Sequence, residues 1–497
     1  MTVGREYDGI LWLQGIASLL GLPVSQANFV ASQLLCILLA SVSRKWLSNP
    51  AASINHRHAF QVLFGIPIIC CVVGSDGFLL VAETLFCYVI ILVCPAQMIH
   101  IGLFVYGMGC LILGHVYMII FPFRIRCYDF TFSLLIITQK ITSLGFNLVD
   151  GHRHNNNNIK LSDQRLQLAV RKKPGLLELS SYLLGFQGVI AGPFCFYKEY
   201  IDFFEGRHYR QKSASENDDP DYQCRHHIPS PSKAVLQKVL ASFFWTVVYV
   251  VLQTLFPLES HLDPAFVARH NIFYRMLHAY LSLLGERAKY YVGWTLAEAV
   301  NNAAGFGFAG FDQNGKPRWD LLTNLHIKHV EMATSFKTYI DNWNLRTVVW
   351  LRFVCYDRAP WNPTLLTFTL SAVWHGLWPG YYFMFLSSAV FTVAARKVRR
   401  NIRPYFQKSK LKQIVYDVIT LLATQATITY IVFSFVFLHL DPIIFFYSQW
   451  YWAIHIFAVL IILVLPKGTS SHIKISPAPE HGTDSDPMLD SNKVKTS

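Results

Sequence analysis

Long apolar runs, separated by short basic or polar stretches, recur along most of the chain. Those at 28–43, 60–94, 99–121, 235–256, 365–395, 414–440 and 443–465 are long enough to cross or enter a bilayer. Shorter runs at 10–22, 130–138, 177–196, 272–284 and 290–308 predict further segments, some tilted or re-entrant. The pattern predicts an all-α fold, a multipass transmembrane helical bundle of about ten spans. The first run, ILWLQGIASLLGLP, follows Arg5, Glu6 and Asp8 and lacks a separate small-residue cleavage pattern, so it is expected to stay in the protein.

Three polar stretches interrupt this pattern, at 150–174, 205–233 and 467–497. The last is rich in Ser, Asp and Pro and is expected to be disordered, which divides the chain into a membrane domain, 1–466, and a tail, 467–497. In the first, HRHNNNN brings His152 and His154 close together. Its run of asparagines predicts a solvated turn rather than a metal site.

Composition agrees with the pattern: 53% of the 497 residues are hydrophobic and 15% charged, which excludes an ordinary string of soluble domains. The formal charge of +13 raises the question of nucleic acid. The basic residues, however, sit in short loops beside apolar runs, as in ARKVRRNIRPYFQKSKLK (395–412) and RKKP (171–174). That arrangement places those loops in the cytosol, against an anionic membrane surface, and calls for no nucleic acid. The ten cysteines fall mostly inside apolar runs without Cys-x-x-Cys spacing, and are expected to be small buried residues rather than a disulfide frame or zinc site.

Within SAVWHGLWPGYYFMF (371–385), His375 is an ionisable side chain in an apolar run, a functional candidate in a membrane segment. A structural histidine accounts for it equally well on context alone. Upstream, Asp341, Asn342 and Asn344 bracket Trp343, and a proline-rich turn, 356–363, separates this group from His375. Asn344 lies 12 residues before Tyr356, and His375 lies 12 after Pro363. If helices flank the turn, each residue is roughly 18 Å from it, and an antiparallel pair would bring them to one depth. A histidine can take the proton of an attacking hydroxyl, and an amide can orient reactants or donate to the developing oxyanion. Acyl transfer from a thioester needs no covalent enzyme intermediate and no cofactor.

Two further patches suit an acyl donor. GERAKYYVGWTLAEAVNNAAGFGFAGFD (285–312) opens with Arg287 and Lys289, suited to phosphates, although basic and tyrosine anchors at a membrane interface give the same spacing. PRWDLLTN (317–324) offers Trp319 and Asp320 after a polar turn, where Asp320 also suits a helix cap. The His-x-x-x-x-Asp spacing of soluble-type glycerolipid acyltransferases occurs at His481 and Asp486, in the tail and without a core around it.

These motifs resemble those of the membrane-bound O-acyltransferase (MBOAT) family. SAVWHGLWPGYYFMF is similar to its WHG-x-x-PGY-x-x-x-F motif, RAKYYVGW to its R-x-KYY-x-x-W motif, RWD to its W-D motif, and Trp343-Asn344 to its upstream WN, all in the family's order. The likeness runs over about 13–466, through LLGLPVSQANFV, IITQKITSL and VIAGP, and is nearest the lysophosphatidylethanolamine and lysophosphatidylserine acyltransferases. The resemblance implies a multipass endoplasmic-reticulum fold around a reaction chamber where acyl-CoA, a co-substrate, meets a lysophospholipid. It implies His375 as base and Asn344 as its partner, with Asn342 the fallback.

By the same resemblance Arg287, Lys289, Tyr290, Tyr291, Trp319, Asp320, Arg346, Arg352, Trp374 and Tyr381 line the substrates. The expected reaction moves a fatty acyl group, oleoyl by resemblance, to the sn-2 hydroxyl of a lysophospholipid bearing ethanolamine, serine or choline. A peptide-acylating enzyme of the same family and a lipid transporter are the alternatives.

Overall fold

The computed structural model describes residues 9–19, 21–47, 53–121, 129–155, 161–207 and 229–466. Among them helices dominate, and the sheet is one antiparallel ribbon in which Gly310 pairs with Arg318 and Phe311 with Pro317. Six helices among the described residues are long and apolar enough to cross a membrane, or seven if Leu440–Gln449 and Ala453–Val464, bent by 74°, form one broken span. The protein is an all-α multipass membrane protein.

This count is smaller than the apolar runs suggested, for local reasons. The runs at 272–284 and 290–308 join into one helix of 33 residues, Ile272–Ala304, because Glu286, Arg287 and Lys289 lie on a continuous helix and not in a loop. Asn271 caps its start by accepting from the Tyr274 N–H, and Gly305, at φ 94°, ends it in the left-handed region. The run 365–395 is cut after His375, giving Pro363–His375 and Pro379–Asn401. The run at 130–138, expected to be short, is the start of a helix of 26 residues, Phe130–Asn155.

Phe130–Asn155 is the central post. In its most apolar stretch 78% of residues are buried inside the protein, against 6% for the outer span that contains Ser232–Leu255, whose Phe243 and Phe244 face outward as lipid-exposed residues do. The post's polar side chains are buried too, so each needs a protein partner. Gln139 donates to the Thr347 hydroxyl (2.8 Å), Thr142 accepts from the Trp350 indole (2.9 Å), and Lys140 donates to the Tyr182 carbonyl (2.6 Å). Buried Asp150 accepts from Arg358 at 2.6 Å, and the guanidinium lies over the rings of Phe146 and Phe353. The stretch 150–174 is therefore not a free loop: its first residues finish the post, and a second short helix, Asp163–Leu168, follows.

His152 and His154 lie in the last turn of the post, which corrects their assignment to a flexible turn; residues 156–160 lie outside the described region. So do 208–228 in the second polar stretch and the tail, 467–497, with His481 and Asp486. The eight described cysteines are free thiols.

Candidate active site

His375 is the last residue of helix Pro363–His375, not the middle of a span. The helix stops because Gly376 takes φ 150°, and a Cβ there would sit 2.7 Å from the Tyr381 ring. The next helix begins at Pro379, whose fixed φ suits a first turn. The Gly380 N–H donates to the Leu438 carbonyl (2.8 Å), binding this corner to the end of helix Lys410–Phe437. The WHG-x-x-PGY sequence thus builds a tight corner with the imidazole at its apex. Around the ring stand Phe385, stacked at 4.9 Å, Phe435 at 5.2 Å, Tyr381 at 5.8 Å and Trp374 at 4.5 Å. Trp374 is fixed in turn by its indole N–H, which donates to the Leu135 carbonyl of the post (3.1 Å).

Asn344 begins the other arm of the hairpin, as the residue just before helix Leu345–Val354. It takes φ 52° and ψ 48°, a left-handed conformation that asparagine tolerates better than most residues. The arms are unequal: at about 1.5 Å per residue, ten residues give roughly 15 Å and thirteen roughly 20 Å. Helix length alone therefore does not give the two residues the expected common depth. Neither the Asn344 carboxamide nor the His375 imidazole has a hydrogen-bond partner among the described residues, and both side chains are half-buried. Asn342 differs, since its amide donates to the Thr338 carbonyl of its own helix (2.8 Å).

The RAKYYVGW helix face surrounds the residue before Asn344. Tyr290, Tyr291 and Trp294 place their rings 5.7, 6.0 and 5.3 Å from that of Trp343, and Tyr339 stacks on it at 6.1 Å. Arg287 on the same helix is placed differently from an open phosphate ligand. Its guanidinium is not an open cation: it holds Glu331 with two parallel hydrogen bonds of 2.9 and 2.8 Å. Arg346 is likewise engaged, donating to the Phe194 carbonyl (2.7 Å) and to Glu199 (2.6 Å). Lys289 is exposed and pairs with Glu286, and Arg352 faces Asp357 at 3.4 Å. Four cations expected near phosphates therefore each have a carboxylate partner already, and the guanidiniums of two of them, Arg287 and Arg346, are buried.

Trp319 and Asp320 lie instead in an open groove of about 660 Å³ between the ribbon and helix Ser232–Leu255. Lys238, Arg318, His326, Lys328 and His329 also line it. Asp320 pairs with Arg318 at 2.9 Å rather than capping a helix, and Lys238 pairs with Glu298 at 2.6 Å. The groove adjoins the hairpin arm. The Leu345 N–H donates to the Asn324 carbonyl (2.8 Å), the Arg346 N–H to the Asn324 side chain (3.1 Å), and the His326 N–H to the Asn342 carbonyl (3.1 Å). The groove's wall, at His326, is thus hydrogen-bonded to the backbone two residues before Asn344.

Sequence reasoning missed Glu331, Phe435 and His115, whose Nε2–H donates to the Trp374 carbonyl (3.3 Å). None belongs to a motif, and each reaches the site only through folding: Phe435 lies 60 residues from His375, His115 lies 259 from Trp374, and Glu331 lies 44 from Arg287.

The sequence profile of MBOAT, the membrane-bound O-acyltransferase family, matches residues 131–434. The chain is 40% identical to Membrane-bound glycerophospholipid O-acyltransferase 2 of Homo sapiens, over 94% of this chain and 91% of that protein. It is 41% identical to Membrane-bound glycerophospholipid O-acyltransferase 1 of Homo sapiens, over 96% of each. With Lysophospholipid acyltransferase 6 of Drosophila melanogaster it shares 34% identity, over 93% of this chain and 64% of that protein.

Proposed function

The chain belongs to the membrane-bound O-acyltransferase family, and from that premise we infer that it is a lysophospholipid O-acyltransferase of phospholipid remodelling. We propose that acyl-CoA is the donor and that the acceptor is the sn-2 hydroxyl of a lysophospholipid with an ethanolamine or serine headgroup, choline being the third to test. The motif likeness to that branch supports the headgroups and an oleoyl donor, and the basic segment 395–412 supports a cytosolic face in the endoplasmic-reticulum membrane.

One observation carries the mechanism: the two arms of a single hairpin end in Asn344 and His375, whose polar heads have no hydrogen-bond partner among the described residues. In the proposed reaction the neutral imidazole of His375 takes the acceptor's hydroxyl proton as that oxygen attacks the thioester carbonyl carbon. The Asn344 NH₂ donates to the carbonyl oxygen as it gains charge. When the C–S bond breaks, the imidazolium returns its proton to the sulfur, and CoA leaves as the free thiol. General-base help of this kind contributes about 10²–10⁴ in rate. The rings around His375 keep water from the thioester, which limits hydrolysis.

The groove beside Asn344 suits the coenzyme's polyphosphate better than Arg287 or Arg346: Arg318 also has a carboxylate partner, Asp320, but that pair is exposed with Lys328 nearby, whereas Glu331 and Glu199 hold the other two guanidiniums in buried pairs. The test is an assay of microsomes with labelled oleoyl-CoA and a panel of lysophospholipids, comparing wild type with His375→Ala at matched protein level. Product from one or more lysophospholipids, absent in the mutant, is expected. Equal turnover in the two would overturn the assignment of the base.

A further inference from the structure

Glu331 ends the short helix Ile327–Glu331 and gathers donors from the long helix Ile272–Ala304. Arg287 donates to both of its oxygens (2.9 and 2.8 Å), the Tyr280 hydroxyl donates to Oε2 (3.1 Å), and the Tyr291 hydroxyl donates to Oε1. From helix Lys410–Phe437 the Gln425 amide donates to the main-chain carbonyls of Val330 and Glu331 (2.9 and 3.0 Å). One carboxylate therefore joins the helix that carries RAKYYVGW to the segment leading into Asn344, and its backbone is held by the helix that carries Phe435.

The connection continues to the site through rings. Tyr291, fixed by Glu331, meets Trp343 at 6.0 Å, and Trp343 immediately precedes Asn344. Asn344 has no hydrogen bond from its own amide to orient it, so its backbone and its neighbour Trp343 set the direction of that amide. We propose that Glu331 is a positioning residue for acyl transfer: by clamping Arg287 and Tyr291 it fixes the Trp343 cage and so the aim of the Asn344 carboxamide. This rests on Asn344 and His375 being the reacting pair.

Glutamine at this position keeps the size of the side chain but has one acceptor oxygen and an NH₂. Its NH₂ would face a guanidinium or hydroxyl donor, so one side of the clamp must open. A displacement of about 1 Å at the reacting group suffices for a loss of about 10²-fold.

The experiment uses full-length protein in membranes and begins with His375→Ala and Asn344→Ala. If either keeps wild-type turnover, the reading of the reacting pair fails, whatever Glu331 does. With both impaired, Glu331→Gln is expected to lower kcat at least tenfold per folded enzyme while KM for acyl-CoA stays within twofold. Folded enzyme is counted by fluorescence-detected gel filtration. In an Asn344→Ala background, where residual turnover is followed with radiolabelled donor, the same substitution is expected to cost less than twofold, because the group it aims is gone. Equal losses in the two backgrounds would make Glu331 a general scaffold, and a rise in KM alone would make it a substrate contact. Either result, or an unchanged kcat, overturns the proposal.

Discussion

Gly380 lies against Ser434 so closely that a Cβ added to it would come within 2.0 Å of the Ser434 carbonyl oxygen. The obstacle is backbone, on the helix that also supplies Phe435, so no rotamer change relieves it. Gly380→Ala is expected to force the two helices apart, lower stability by at least 1–3 kcal/mol, on the order of a core-overpacking change, and loosen the corner that holds His375. Thermal unfolding of the solubilised protein, followed by gel filtration, measures the first effect, and turnover per folded molecule measures the second.

The two candidate asparagines are separable. Asn342 spends its amide on the Thr338 carbonyl, whereas the amide of Asn344 has no hydrogen-bond partner among the described residues. Asn344→Ala is expected to reduce kcat by about 10²–10³, the range for losing one oxyanion donor, and Asn342→Ala by less than about tenfold. Because φ at Asn344 is 52°, alanine also adds backbone strain there. Asn344→Gly removes the carboxamide without that strain, and its kcat is expected to match the alanine variant's. A glycine variant with wild-type kcat would show that the amide takes no part.

Asp150 and Arg358 form a buried pair at 2.6 Å, with Asp150 1% and Arg358 13% exposed. Removing one partner leaves the other charge uncompensated. Asp150→Ala is expected to destabilise by about 3–5 kcal/mol, while a double replacement by apolar residues, Asp150→Leu with Arg358→Met, recovers much of the loss. Thermal melting of the single and double variants decides; equal melting temperatures for Asp150→Ala and wild type would contradict the pairing argument.

The groove lined by Arg318, Lys328, His326 and His329 yields a kinetic prediction. Arg318→Gln combined with Lys328→Gln is expected to raise KM for acyl-CoA several-fold and leave kcat within about twofold, as loss of uniform binding does. The rise is expected to shrink as salt is added, since exposed charges are screened. A KM that does not move would shift the coenzyme's phosphates elsewhere.

Much of this molecule was legible from its sequence because bilayer-length runs are a strong signal. The run at 28–43 became helix Val24–Leu47, and 99–121 became Ile99–Ile120. The post was underestimated for the opposite reason: Thr138, Gln139, Lys140, Thr142 and Ser143 look solvent-facing in a sequence but are all buried against other helices. The site divided in the same way. Motif residues such as His375, Trp374 and Tyr381 came together as expected, because they lie within one corner. The ion pair of Arg287 was not legible because its partner, Glu331, lies 44 residues away, and for Arg346 and Glu199 the separation is 147. Charge is visible in a sequence, but its neutralisation is a property of the fold.

The hairpin has a consequence for where the enzyme can work. Bilayers differ in thickness, and spans respond by tilting. Asn344 and His375 are the ends of two arms that share one turn, and both arms are bolted to the same post through Trp350 and Trp374. A tilt carries them as one piece, so their mutual spacing is set by the protein and not by the lipid. The chemistry is thereby insulated from the very membrane whose composition its products alter.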